Sequence, residues 1–194
     1  MKKNIQVKHK EYGKGRVVGV FDDGTIRVRF DARTIVALPK EELEIVRKRY
    51  FAPVKDAPAD IQLPVRKTRR SAAYDFFLPC DVTVPAHGSS GIIPTYVKAY
   101  MRNNEVFTLH IRSSVGIKRG VTLSNATGII DADYCDNPDN DGNIGIALYN
   151  HTDKDVAFKK GECVMQGIFL QYATVDDDDD VTAERVGGYG STGQ

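Results

Sequence analysis

The chain has 194 residues, with 41% hydrophobic and 27% charged content, ordinary values for a soluble globular protein of one or two domains. No apolar run approaches the roughly 18 residues that a membrane span needs, and the basic N-terminal stretch MKKNIQVKHKEYGKG has no apolar segment behind it, so neither a membrane partner nor a secretory signal is expected. The net charge of +1 is the sum of two unequal halves: residues 1–70 carry 18 Lys+Arg against 9 Asp+Glu (+9), and residues 71–194 carry 9 against 17 (−8).

A basic front half can attract polyanions, although at this charge density a solvated module is the plainer expectation. Cys80, Cys135 and Cys163 are odd in number, widely spaced and without CxxC spacing. A zinc site or disulfide framework is therefore not expected, and a reducing, cytoplasmic setting fits.

Residues 5–46 read as short strands. RVVGVF (16–21) and TIRVRF (25–30) flank the hairpin signal Asp22-Asp23-Gly24, RTIVALP (33–39) forms a third strand, and KEELEIV (40–46) a closing turn and strand. Tyr12-Gly13-Lys14-Gly15 reads as a tight loop before the first of these. So small a unit buries enough core only by closing on itself. Its pattern over residues 1–47 resembles SH3-like barrels of the Tudor and KOW type, which implies a module that binds protein or nucleic acid. Residues 48–65 lie in a stretch rich in proline and cations and read as a linker.

From residue 66 onward, β-branched segments recur between Pro and Gly: VTVP, GIIPTYV, VFTLHIR, GVTLSN, NIGIALYN and CVMQGIFLQY. The spacing predicts an all-β domain, a sandwich or jelly roll, with KAYMRN (98–103) as a short helix or turn. The acidic run Asp176–Asp180 reads as a solvated loop.

Three segments carry chemistry. Arg112-Ser113-Ser114 closes the apolar strand FTLHI, and a guanidinium beside two hydroxyls can hold an anion, although Arg-Ser-Ser by itself is also a common turn. In Gly128-Ile129-Ile130-Asp131-Ala132-Asp133-Tyr134 the two carboxylates alternate along extended chain, so they share a face. One can orient while the other takes a proton; in isolation, Asp-x-Asp is as readily a turn or a cation site. The arm at 184–194 sets Arg185, Tyr189, Ser191 and Thr192 among glycines, which let backbone approach a phosphate closely.

Together these segments resemble the trimeric dUTP diphosphatases in five motifs in order. The motifs are Ala72-Ala73-Tyr74-Asp75-Phe76, Arg112 through Gly116, Asn125 through Tyr134, Gly161-Glu162-Cys163-Val164-Met165-Gln166, and Arg185 through Gly193. The resemblance covers about residues 66–194. It implies a jelly roll assembled as a homotrimer with shared sites, hydrolysing dUTP to dUMP and pyrophosphate. That reaction keeps uracil out of DNA and supplies dUMP for thymidylate synthesis. Asp131 is then the base that activates the attacking water. Asn125 reads uracil with the hairpin backbone, and Tyr134 packs on the deoxyribose. Arg112, Ser113, Ser114 and Gln166 contact phosphates. Arg185, Ser191 and Thr192 close over the γ-phosphate while Tyr189 stacks on the base, and Asp75 and Asp133 support the site. Mg²⁺ comes with the triphosphate and water rather than in a protein cage.

Four departures from the family pattern stand out: Ala73 for Gly, Cys163 for Arg, one residue fewer between Arg185 and the Gly-Gly pair, and an insert at 135–141 (Cys-Asp-Asn-Pro-Asp-Asn-Asp). Polar and rich in turn residues, the insert is expected to extend the hairpin at the surface. His9, His87, His110 and His151 form no cluster in sequence. Two alternatives bear on function. A dCTP deaminase, or a bifunctional deaminase and diphosphatase, wants a Glu near the base, and the hairpin offers Asp131 and Asp133 instead. A nucleotide-responsive regulatory binding protein is the alternative of another class.

Overall fold

The computed structural model describes residues 5–45 and 49–176, together with Arg185, Gly187 and Gly188. The chain divides into two units, Met1–Lys48 and Arg49–Gln194.

The first unit is one antiparallel sheet of five strands in the order β4-β3-β2-β1-β5: β1 Gln6–His9, β2 Gly13–Val20, β3 Ile26–Arg29, β4 Ile35–Leu38 and β5 Glu44–Ile45. Alternation builds it, interrupted by a register shift between Val17 and Gly19. Val7, Val17, Ile26, Val28 and Leu38 point inward and are buried with Leu43, while Lys8, Lys14, Arg16, Arg27 and Arg29 point to solvent. The β2–β3 turn is where Asp22-Asp23-Gly24 predicts it. Gly24 takes φ +86°, and the Thr25 N–H donates to the Asp23 carboxylate at 2.9 Å. The expected loop at 12–15 is largely strand, because β2 starts at Gly13. A side chain at Gly15 would meet Val28 and Phe30 at 2.6 Å, so glycine is needed there for packing rather than for turning.

The second unit is almost entirely β. Its strands are β6 Tyr50–Pro53, β7 Tyr74–Phe77, β8 Val82–Val84, β9 Ser89–Pro94, β10 Val97–Tyr100, β11 Glu105–Ile111, β12 Val121–Leu123, β13 Gly128–Ile130, β14 Gly145–Asn150, β15 Val156–Phe158 and β16 Cys163–Gln171. They form four antiparallel sheets, ordered β13-β11-β16-β7, β12-β14-β9, β10-β6 and β15-β8. Their inner faces share one core that includes Phe76, Phe107, Leu109, Leu148, Phe158 and Met165. This is the expected jelly-roll class. No helix among the described residues is long and apolar enough to cross a membrane.

Three local expectations differ from the structure. Within the expected linker, residues 50–53 form β6 and pair with β10. The reason is Phe51, whose ring sits among Phe76, Phe107 and Phe169 with centroids 5.7, 5.3 and 5.5 Å away; aromatic burial of this size outweighs the local proline content. Of the expected helix or turn at 98–103, residues 98–100 are consequently strand, and the turn is confined to its end, where the Glu105 N–H bonds the Arg102 carbonyl at 3.0 Å. Third, Arg112-Ser113-Ser114 opens a helix, α1 Ser113–Arg119. It ends at Gly120 with φ +64° and carries Lys118 and Arg119 in its last turn, where cations suit the helix dipole.

Arg49 secures the start of this unit. Its Nε donates to Glu105 at 2.7 Å, and a second guanidinium nitrogen bonds the other carboxylate oxygen. The Glu105 side chain is 1% exposed. Burial works to raise its carboxyl, but the bonds from Arg49 and from the Arg102 backbone outweigh it and hold the group below the ordinary carboxylate range.

Candidate active site

Strand β13 carries Gly128, Ile129 and Ile130 along one edge of β11, with Ile130 opposite Phe107 and Gly128 opposite Leu109. The chain leaves the sheet at Asp131. A turn closed by the Tyr134 N–H on the Asp131 carbonyl (3.1 Å) then brings Tyr134 back to the core. Between this hairpin, β9 and β14 lies a cleft of about 480 Å³. Its apolar walls include Ile92, Leu123 and Ile146, and Asn125, Asp131, Tyr134 and Arg185 line it among them. Asn125 sits in the exposed β12–β13 turn, followed by Ala126 at φ +62°. The Asp131 carboxylate is 51% exposed at the cleft margin.

Tyr134 is buried and held at both ends. Its hydroxyl donates to the Asn143 carbonyl at 2.9 Å and accepts from Asn140 Nδ2 at 2.9 Å. Arg185 caps the same corner. Its Nε donates to Asp133 at 2.9 Å, its Nη2 donates to the Asp131 carboxylate, and its guanidinium lies 5.7 Å from the Tyr134 ring centre. The resemblance led to Arg185 on a phosphate; in the chain alone it ties the two hairpin carboxylates together. Tyr189, Ser191 and Thr192 lie outside the described residues.

The other expected residues form a second cluster that lines no part of this cleft. Asp75 on β7 faces Gln166 on β16, which faces His110 on β11. Beyond the end of β11, the Arg112 guanidinium lies 3.6 Å from Asp75 and donates to the Cys163 carbonyl at 3.3 Å. Ser113 and Ser114 are exposed at the start of α1. Cys163 does not replace the missing cation. Burial, with the Asp75 carboxylate second, pushes its thiol up to about 11, so it stays neutral. Strand geometry separates the two clusters: Ile130 pairs with Phe107, so Asp131 leaves beside Val106, six residues from Arg112. At 3.4 Å per residue the separation along β11 is roughly 20 Å.

The family model for dUTPase matches residues 59–193. The chain belongs to the dUTPase family. The deoxyuridine 5'-triphosphate nucleotidohydrolase of Lactococcus lactis is 43% identical over 136 residues, which cover 70% of this chain and 90% of that protein. The enzyme of that name from Arabidopsis thaliana is 33% identical over 147 residues, 74% of this chain and 83% of that protein. The crystal structure of dUTPase from Streptococcus mutans superposes with a TM-score of 0.61 at 38% identity, covering 67% of this chain and 99% of that one. The match begins before residue 66, inside the segment read as a linker. There Val65 exchanges backbone hydrogen bonds with Asp75 (3.2 and 2.8 Å) and so extends the edge of β7.

The insert extends the hairpin at the surface as expected, with Asp136, Pro138 and Asp139 exposed, and it is also tied into the hairpin through its own side chains. Asn137 is buried, donating to the Tyr134 carbonyl and to Asn140 Oδ1, each at 2.8 Å. Lys98, 10% exposed, donates to Asp136 at 2.5 Å and to Asp141 at 3.0 Å. Burial alone would lower the Lys98 ammonium, but these two carboxylates raise it above its ordinary value. The same exchange holds both carboxyls below the usual range against the cost of burial, and partial burial, with the hydrogen bond to Asp136 at 2.8 Å, pushes the half-buried Tyr100 up to about 12. The available signal was the Asn and Asp spacing of the insert, which is that of side chains capping their own turns; no local rule reveals its partner, Lys98, 38 residues upstream of Asp136 in sequence.

A pH dependence follows. Carboxyls that titrate below about 3.9 when folded stabilise the protein fully above that value, and the contribution is lost as pH falls through the folded values. The thermal midpoint of Lys98→Met is expected to lie well below that of the wild type at pH 7, with the gap narrowing from about pH 4 downward as Asp136 and Asp141 protonate. Melting curves between pH 2 and 7 check this; a gap that does not change with pH contradicts it.

Proposed function

We propose that the chain hydrolyses dUTP to dUMP and pyrophosphate, with Asp131 drawing a proton from the water that attacks the α-phosphorus. The observation that carries this reading is the placement of a half-exposed carboxylate, Asp131, at the margin of an apolar cleft whose wall is Tyr134 and whose rim holds Asn125. A flat base and a deoxyribose suit such walls, Asn125 offers a donor and an acceptor to a uracil edge, and a carboxylate in reach of solvent can act as general base. In the chain alone Arg185 occupies that carboxylate. Binding of the triphosphate then exchanges carboxylate oxygens for phosphate oxygens at the guanidinium, whose fork suits either, and frees Asp131 for water. Tyr189, Ser191 and Thr192 would follow Arg185 over the substrate as a closing arm.

The roughly 20 Å between Asp131 and Arg112 supports a homotrimer with shared sites. Arg112, Ser113, Ser114 and Gln166 of one copy would then neutralise the phosphates of a dUTP whose base lies in another copy's cleft, and Asp75 would hold Arg112 in place. Mg²⁺ fits as a companion of the substrate. No group of three or more His, Cys, Asp or Glu side chains among the described residues could hold a metal ion, and Mg²⁺ keeps water and phosphate oxygens as ligands. When bound it would neutralise phosphate charge, and Asp131 and Asp133 would be the carboxylates able to hold it through water. Among the described residues no Glu lines the cleft, which supports diphosphatase over deaminase chemistry, and the three free thiols fit a cytoplasmic setting. With dUTP and dCTP offered in turn, the wild type is expected to release pyrophosphate from dUTP and no ammonia from dCTP. Asp131→Asn should lose at least about a thousandfold in turnover while still binding dUTP. Ammonia from dCTP, or near-normal turnover by Asp131→Asn, would contradict the mechanism, and binding of dUTP without hydrolysis by the wild type would favour the regulatory alternative.

For the first unit we propose an SH3-like module that binds the phosphodiester backbone of nucleic acid. The register sets Lys14 opposite Lys8 and Arg29 opposite Arg16 on the solvent face, with Arg27 beside them, and none of the five forms an ion pair among the described residues. Like charges directly across a sheet are destabilising, so the arrangement is explained best by an anion that bridges them. The full chain should bind a labelled duplex with strong salt dependence. The double variant Arg16→Glu, Arg29→Glu should reduce the slope of log affinity against log salt by about two. Absence of binding at low salt, or an unchanged slope, sinks this reading.

A further inference from the structure

Tyr134 is the aromatic ring in the wall of the cleft, and among the described residues its place is set from outside that cleft. None of residues 135–143 lines the cavity, yet they hold the tyrosine closely. Its hydroxyl donates to the Asn143 carbonyl and accepts from Asn140 Nδ2, each at 2.9 Å. Its own carbonyl accepts from Asn137 Nδ2 at 2.8 Å. The two asparagines of the insert are locked together. Asn137 Nδ2 also donates to Asn140 Oδ1 at 2.8 Å, and Asn137 Oδ1 accepts the backbone N–H groups of Asp139 and Asn140, both at 3.1 Å. Asn140 Oδ1 takes a further bond from the Gly142 N–H at 3.0 Å. Gly142 closes the loop at φ +78°, where a Cβ would stand 2.6 Å from the Cys135 Cα. The far side of the bracket is anchored as well: Asn143 Oδ1 accepts from the Tyr96 N–H at 2.9 Å, and Lys98 holds Asp136 and Asp141.

We propose that Asn140, held by Asn137, is a specificity-determining positioning residue, which stiffens the Tyr134 ring and so gives the site its preference for a 2′-deoxyribonucleotide over the ribonucleotide. The inference rests on the dUTP-hydrolase reading above, in which the sugar lies against Tyr134. An apolar wall by itself rejects an added hydroxyl by only about a hundredfold, and less if the wall can shift to make room, since overpacking is costly only where the surroundings do not yield. This ring is held at its backbone, by the Tyr134 N–H on the Asp131 carbonyl and by Asn137, and at its hydroxyl, by two bonds of opposite sense. It has little freedom to tilt away from a bulkier sugar. The hydroxyl is also committed. Its single proton is on the Asn143 carbonyl, so a 2′-hydroxyl brought against the ring leaves water and finds no donor there.

The test is steady-state hydrolysis of dUTP and of UTP by the full chain, read as the ratio of the two kcat/KM values, with a melting curve for each variant. Asn140→Asp keeps the oxygen that Asn137 and Gly142 bond and removes the donor to the tyrosine, leaving that hydroxyl one bond instead of two. Its dUTP-to-UTP ratio should fall about tenfold, with the change in the two KM values rather than in kcat. The added negative charge acts alike on two triphosphates and cancels in the ratio, and a general loss of stability lowers both rates together. Tyr134→Phe removes the hydroxyl, and in that background Asn140→Asp should have no further effect on the ratio. An unchanged ratio in Asn140→Asp, an equal fall in the Tyr134→Phe background, or a wild type with no preference for dUTP would overturn the assignment while leaving dUTP hydrolysis standing. A wild-type chain that does not turn over dUTP would overturn both.

Discussion

The placement of every site residue in the second unit depends on the register of β11. Its inward residues Phe107 and Leu109 are buried at 0 and 1% exposure, and because the side-chain period of a strand is two, a one-residue slip would turn both to the wrong face. With that register set, β13 is aligned on one side and β16 on the other. Asp131 must then emerge at one end of β11, Arg112 at the other, and Gln166 beside His110. Even the absence of a side chain at Gly167 follows, since a Cβ there would stand 2.1 Å from the Phe107 ring.

The same register divides the chemistry. The cleft with Asp131, proposed as the base-and-sugar half of the site, lies at one end of β11, and the Arg112 cluster, proposed as the phosphate half, at the other. Within one chain each half is internally braced. Arg185 neutralises Asp131 and Asp133, and Asp75 orients Arg112. Bracing of this kind limits the cost of exposed like charges, and on the proposed reading the triphosphate would draw the halves together across copies.

Legibility in the sequence followed how local each signal was. The Asp23-Gly24 turn, the alternation of TIRVRF and the order of five motifs are contained in a few residues each, and the strands, the dUTPase family and the cleft residues Asn125, Asp131 and Tyr134 were read from them. Strand β6 was missed because its warrant is Phe51 meeting Phe107 and Phe169 from far along the chain, which no window around a proline-rich segment contains. Helix α1 spans only seven residues, too few to show a helical period. The insert was legible only in part for a related reason: its turn chemistry and surface position were visible, but Lys98 as its counter-charge and Gly188 as its neighbour are contacts of the fold.

The division of the site between copies can be measured directly by mixing two inactive chains. Asp131→Asn lacks the base and Arg112→Ala lacks the phosphate cation, and neither alone should turn over dUTP. Unfolded together in equal amounts and refolded, they form mixed trimers in which one site of three has an intact Asp131 and an intact Arg112 on different chains. Activity should then return to on the order of a quarter of the wild-type level. If the mixture remains as inactive as its components while still assembling, both residues act within one chain and the account is wrong.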